Sequence, residues 1–361
     1  MGWILTALVA AVFAVLAAGF AYRNLHCDEA LIKKVWAAGF QEKQEVLLDG
    51  TVLNYGEGGM HNRKALFLIH GQGQTWEDYD KVLPALAREY HVYAVDCHGH
   101  GESSHVAERY RLKLMTEDFV WFIRHVIGEP CVVSGHSSGG ILAASVAASA
   151  PDLVSGVVLE DPPFFKVQPE EMQHTFVWLD SFLLAEQFQR QSKEQNFYSY
   201  YFEHGVIWNL FGNAKHKLAR AAVKRVAKHP GKPFKLWFVP HSMLRGLYYR
   251  EMYDQRFGDT FYDGSWFEGM NQEEILSSIH CPCIYLKAKT AYLTEKGFTY
   301  GDTEALRENH ILCCANNDSD AKRVTQLVKD CKMIEMPTSD HLIHYKYPAQ
   351  FIKAVMEVQK L

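Results

Sequence analysis

One stretch constrains this chain more than any other: "CVVSGHSSGGILAASVAASAP", Cys131 to Pro151. It opens on a short β-branched run, which favours a strand, and closes on small residues at helical spacing. Ser137 stands at the junction, with Gly135 two residues before it and Gly139 two after. A serine hydroxyl is a poor nucleophile at neutral pH, so it needs a base in hydrogen-bond reach and donors for the oxyanion that develops. It must also project clear of its own backbone. A tight strand-to-helix turn achieves this but crowds the residues two before and two after, and glycine at both places relieves the crowding. Gly135-His136-Ser137-Ser138-Gly139 therefore reads as a G-x-S-x-G nucleophile elbow in a strand–turn–helix setting. Ser138 is the neighbouring alternative, but the glycine spacing selects Ser137. The N-terminus of the following helix would add partial positive charge beside the oxyanion.

Such a turn needs a sheet around it. "KALFLIHGQG" and "YHVYAVDCHGHGES" both read as buried strands ending in glycine turns, with helical spacing in "WEDYDKVLPALARE" between them. "RLKLMTEDFVWFIRHVIG" is helical and precedes the "PCVVSG" strand. "VSGVVLEDPP" is a further strand, stopped by Pro162 and Pro163. Later, "CPCIYLKAKT" and "CKMIEMP" predict two more strands flanking a helix from about Asp318 to Lys329. Strands alternating with helices predict an α/β fold with a mostly parallel sheet and helices on both faces, its chemistry gathered at the carboxyl ends of the strands. From Pro163 to about Glu274 the rhythm stops. This segment holds 24 of the chain's 47 aromatic residues, and its readable elements look helical, which predicts a cap inserted over the strand ends.

From Trp3 to Tyr22 the chain runs twenty residues without a charge, long enough to span a bilayer as a helix. A cleaved signal usually has a basic residue ahead of a shorter apolar run. Here Arg23, Lys33 and Lys34 all follow the run, so the positive-inside rule leans toward a single-pass anchor with a cytoplasmic catalytic domain. "MGWILT" also matches the bare N-myristoylation pattern, but a glycine opening a hydrophobic span is the commoner case. The predicted organisation is residues 1–25 as transmembrane anchor, 26–162 as the first part of the core, 163–275 as the helical cap and 276–361 as the second part of the core.

The formal charge of −5 gives no electrostatic case for nucleic acid. Cys281 and Cys283 are separated by one proline and Cys313 and Cys314 are adjacent, neither the spacing of a zinc knuckle or a redox pair, so free thiols are expected. His98 and His100 lack a third ligand nearby and are not read as a metal site. The basic run "KHKLARAAVKRVAKHPGK" reads as a solvated helix face, with contact to anionic headgroups as the second reading.

"HGQG" (His70 to Gly73), "DCHGHGES" (Asp96 to Ser103), "GHSSGG" (Gly135 to Gly140) and "SDHLIHYKYP" (Ser339 to Pro348), in that order, resemble the α/β-hydrolase superfamily over roughly residues 45 to 361. The resemblance implies an eight-stranded type of sheet, a covering cap and a Ser–acid–His triad. It implies that backbone amides of Gln72 and Ser138 form the oxyanion hole. It places the base after the last strand at His341, with His344 as runner-up; the family's usual glycine before this histidine is here Asp340. The commonest acid position, around Thr290 or Ala291, has no aspartate. A second known arrangement puts the acid after the strand that follows the nucleophile's helix, where this chain has Asp161. Asp161 is preferred, with Glu295, Asp302 and Glu160 as alternatives. The carboxylate must be buried near the base but need not hold one chain position.

The expectation is thus a membrane-anchored serine hydrolase that cleaves an ester-like bond of a small apolar acyl substrate and calls for no metal or organic cofactor. The alternatives are amide, thioester or carbon–carbon bond hydrolysis on the same triad, or a non-catalytic ligand-binding protein on this fold.

Overall fold

A computed structural model describes residues 2–193, 196–206, 212–229, 235–238, 245 and 249–361. The apolar runs become the strands β3 (Ala65–Ile69), β4 (His91–Val95), β5 (Cys131–His136), β6 (Val154–Glu160) and β7 (Cys283–Lys287), with β11 (Cys331–Glu335) outermost. β1 (Gln41–Val46) and β2 (Val52–Gly58) complete one eight-stranded sheet in the order β1-β2-β4-β3-β5-β6-β7-β11. β2 is antiparallel to both β1 and β4, and every other pairing is parallel.

Parallel strands covered on both faces are expected to be apolar throughout. All five residues of β3 and of β7 are buried, as are all six of β5, whereas edge strands β1 and β11 are half-exposed. Successive residues serve opposite faces. Phe67, Ile69, Val133, Val157 and Tyr285 pack into one core layer, and Leu66, Leu68, Val132, Val158 and Ile284 into the other. Helix Ser138–Ser149 lies in the first layer, and helix Pro348–Glu357 closes the second with Phe351, Ala354 and Val355.

Between β6 and β7 the described residues form helices, among them Leu183–Arg190, Phe197–His204, Lys215–Lys228 and Gln255–Tyr262. Stacked aromatics tie this segment together: Phe182, just before Leu183–Arg190, lies on Phe261 at 5.1 Å, and Phe261 lies on Trp266 at 4.6 Å.

Two features differ from the sequence reading. "WEDYDKVLPALARE" is not one helix but a short 3-10 turn at Trp76–Tyr79 followed by Leu83–Leu86. After β7 a small antiparallel sheet appears, built from β8 (Ala291–Thr294), β9 (Gly297–Tyr300) and β10 (Ile311–Leu312). Its strands are two to four residues long, too short for periodicity to reveal.

The N-terminal helix Gly2–Ala37 is continuous over 36 residues and is long and apolar enough to cross a membrane. It runs well past Tyr22. Its last turns pack on the core, with Val35 buried beside Phe40 and Trp76, and Trp36 edge-on to Trp76 at 5.6 Å.

Candidate active site

Ser137 sits between the end of β5 and the first turn of its helix, at φ 53° and ψ −122°. A side chain rarely adopts this backbone, and only tight surroundings hold it there. Those surroundings explain both glycines. A Cβ on Gly135 would lie 1.9 Å from the Gly139 carbonyl oxygen, and one on Gly139 would lie 2.3 Å from that of His70. The close approach brings the β3 turn, with Gly71 and Gln72, against the elbow. Among the described residues neither the Gln72 nor the Ser138 backbone N–H has an acceptor. Both residues line one cavity with Ser137 and His341.

Asp161 directly follows β6 with φ 44°, another left-handed position, and its carboxylate is fully buried. His341 Nδ1–H donates to Asp161 Oδ2 at 2.7 Å. The backbone N–H of Ala288 donates to Asp161 Oδ1 at 3.0 Å, and that of Ala315 to Oδ2 at 3.4 Å. The carboxylate therefore fixes the tautomer that leaves Nε2 of His341 as an acceptor. Among the described residues neither that nitrogen nor the Ser137 hydroxyl has a hydrogen-bond partner.

The other acid candidates are placed elsewhere. Glu295 is exposed in the β8–β9 hairpin turn. Asp302 accepts from Tyr292 Oη at 3.0 Å and pairs with Arg307 at 3.0 Å. Glu160 accepts from the backbone N–H and Nδ1–H of His344, at 2.7 and 2.8 Å. One of the alternative acids and the runner-up base are thus partners of each other, not members of the Ser137 cluster.

This second pair continues inward. His344 Nε2–H donates to Asp78 Oδ2 at 2.9 Å, Gln74 Nε2 donates to the same oxygen at 2.6 Å, and Arg245 Nε donates to Asp78 Oδ1 at 2.7 Å. Burial works against the His344 charge, but Glu160 and Asp78 outweigh it and raise its pKa to about 9. Burial likewise opposes the Asp78 charge, and Arg245 and His344 outweigh it, holding the carboxyl well below its usual range. His136, inside the elbow, is pushed well below its ordinary pKa by burial and by the His341 and His344 rings. Its Nε2 lies 3.0 Å from the His341 carbonyl oxygen and its Nδ1 2.9 Å from Gln74 Oε1, and a neutral ring donates to one of the two. The His341 loop is therefore held from three sides: Asp161, the His136 ring and the Glu160–His344 pair.

Sequence reasoning missed Gln74, Asp78 and Arg245. No motif marks them, because the contacts of Gln74 with His136 and of Asp78 with Arg245 and His344 span 62 to 266 residues of chain. Asp96, by contrast, accepts from Trp76 N at 2.7 Å and Asn54 Nδ2 at 2.8 Å, a turn-forming role. His98 is bonded to Asp118 at 3.0 Å, and no group of three or more potential metal ligands occurs among the described residues.

The cavity has a volume of about 350 Å³. Its walls include Met172, Phe176, Phe182, Phe261 and Leu342, with Lys166, Arg250 and Asp340 among its charged residues. The segment between β6 and β7 supplies much of this lining, and the turn after β10 adds Cys313, Cys314 and Ala315.

The sequence profile of the alpha/beta hydrolase family matches residues 66–354. The chain belongs to the α/β hydrolase family. Over 87 residues it is 38% identical to a magnesium-chelatase 30 kDa subunit from Rhodobacter capsulatus, covering 24% of this chain and 31% of that one. Over 114 residues it is 29% identical to a human serine hydrolase-like protein, covering 30% and 55%. The chain thus spans less than two thirds of the length of these curated relatives. Among solved structures, an esterase from Rhodococcus sp. superposes with a TM-score of 0.57 at 18% identity, covering 88% of this chain and 98% of that one, which is a likeness of fold. Within this α/β hydrolase, the small sheet β8–β10 occupies the stretch where the acid is commonest, and the carboxylate facing His341 comes from β6 instead.

Proposed function

We propose that this α/β hydrolase is a membrane-anchored serine hydrolase acting on an ester-like bond of an apolar acyl substrate. The observation that carries the reading is the His341–Asp161 bond of 2.7 Å at the wall of the cavity that Ser137 also lines. In this reading His341 Nε2 takes the Ser137 proton as Oγ attacks the carbonyl carbon. The oxyanion is met by the N–H groups of Gln72 and Ser138, the latter carrying the positive end of its helix. His341 then protonates the leaving group, and the acyl-enzyme is cleaved by a water that His341 activates. Asp161 stabilises the imidazolium in both half-reactions. Residues 163–275 are read as the cap that shapes the cavity, and its apolar walls favour an acyl chain. Residues 1–25 are read as the anchor, with the catalytic domain on the cytoplasmic side because Arg23, Lys33 and Lys34 follow the apolar run.

The test is labelling of the full-length protein by a fluorophosphonate probe, followed by peptide mapping. Labelling should fall on Ser137, vanish in Ser137→Ala, and collapse in His341→Ala and Asp161→Asn but not in Glu295→Gln. Folded wild-type protein that takes up no probe would sink the reading.

A further inference from the structure

The segment 235–238 lies against the N-terminal helix just beyond its apolar run. Asn24 Nδ2 donates to the Leu236 carbonyl oxygen at 2.9 Å. Lys235 Nζ donates to the Leu25 carbonyl oxygen at 2.7 Å and pairs with Asp28 at 2.5 Å. Asn24 is 7% exposed and the Lys235 side chain 10%, so these bonds are sheltered ties between two parts of the chain. They fix the level of the next two residues. Trp237 and Phe238 are 55% and 41% exposed, with ring centroids 5.4 Å apart in an edge-to-face pair.

Adjacent exposed aromatics on a protein surface call for an occupant. Here the covalent chain names one. At 1.5 Å rise per residue, Asn24 to Asp28 lie about 3 to 9 Å beyond Tyr22, the last residue of the uncharged run. The headgroup layer outside the hydrocarbon is of similar depth, roughly 5 to 8 Å on each side. Tryptophan favours that layer, where an apolar ring and a polar N–H are both satisfied. The site cavity is close to the same level: the side chain of Tyr345, which lines it, lies beside Cys27 of the same helix.

We infer that Trp237 and Phe238 form a second contact with the bilayer, inserting into the headgroup–acyl boundary beside the anchor and seating the cavity rim against the membrane surface. The inference rests on the reading of the N-terminal helix as a membrane anchor. The occupant is lipid, because the ties to Asn24, Leu25 and Asp28 set the pair beside the end of the run that the anchor reading places in the bilayer. Lys235 pairs with Asp28, so the contact itself is made by the two apolar rings.

Full-length protein in phosphatidylcholine vesicles, with bromine placed near the headgroup end of the acyl chains, separates the possibilities. Trp3 reports on the anchor and Trp237 on the inferred contact. Wild type, Trp3→Phe and Trp237→Phe are compared for bromine quenching of tryptophan emission; Phe keeps a ring at each exposed site, so folding is preserved. The expected result is that each variant loses one tryptophan's share of the quenched emission. Loss in Trp3→Phe but not in Trp237→Phe overturns the inference and leaves the anchor standing; a concentration-dependent mass in detergent would then give the pair to a second copy of the chain. Loss in neither variant overturns both.

Discussion

Ser137 and Asp161 share an uncommon property: both are non-glycine residues with positive φ, at 53° and 44°. Such positions cost about 1–3 kcal/mol each and persist only where the surroundings over-determine them. Ser137→Gly should therefore raise the unfolding free energy by about 1 kcal/mol in a urea titration while abolishing probe labelling. Gly135→Ala should have the opposite character. Its Cβ would meet the Gly139 carbonyl oxygen at 1.9 Å, and neither backbone can yield without moving the elbow. We expect a loss of about 2 kcal/mol or more, read as a lower urea midpoint, or failure to accumulate as soluble protein. Asp161→Asn tests the acid with little disturbance, because asparagine tolerates the left-handed region. Its amide cannot hold the His341 tautomer, so turnover of an ester substrate should fall by about 10³ to 10⁴ with the urea midpoint nearly unchanged.

At the scale of elements, two devices outside the elbow shape the site. The turn after β10 delivers the Ala315 N–H to Asp161, and it is pinned by Asn316, whose Nδ2 donates to the Pro162 carbonyl oxygen at 2.8 Å. The second device ties the His341–His344 stretch to β6 through Glu160. Its charge state gives a pH signature. The pKa of His344 is raised to about 9 in the folded chain, against an ordinary value of 6.5. Stability from this pair is therefore fully present below pH 6.5 and is lost as pH rises toward 9. Urea midpoints measured across that window should fall in wild type more steeply than in His344→Gln, which cannot charge. A His344→Gln curve as steep as that of wild type would remove His344 as the cause. Glu160→Gln should also lower turnover at all pH values, because His341 loses part of what positions it; Asp161 still orients the ring, so the loss should stay well below that of Asp161→Asn.

At the scale of the whole molecule, the N-terminal helix is both an apolar span and a strut of the core. Removing residues 2–23 should leave the unfolding transition of the remainder nearly intact, whereas removing residues through Ala37 also strips Val35 from its site beside Trp76. Burying a valine contributes about 1.5–3 kcal/mol, so the longer truncation should unfold at visibly lower urea and expose Trp76 to solvent quenchers. The elbow was legible because its constraint is local: a serine forced to positive φ needs glycines at fixed offsets, whatever surrounds it. The parallel sheet was legible because burial on both faces demands uninterrupted apolar runs, and the long N-terminal helix because its first twenty residues after Gly2 run without a charge. The small sheet β8–β10 was not legible, since strands of two to four residues have too little periodicity. Which carboxylate meets His341 was also open in the sequence, because burial near the base can be supplied from any strand end. Only the tertiary structure sets Asp161 against His341, pairs Glu160 with His344, leaves Glu295 in solvent and brings Asp78 and Arg245 together. Local backbone geometry and the need to bury apolar surface act along the chain and can be read from it. Pairing between charges far apart in sequence is decided only when the packed core excludes water and each buried charge must be met by the partners that folding brings within reach.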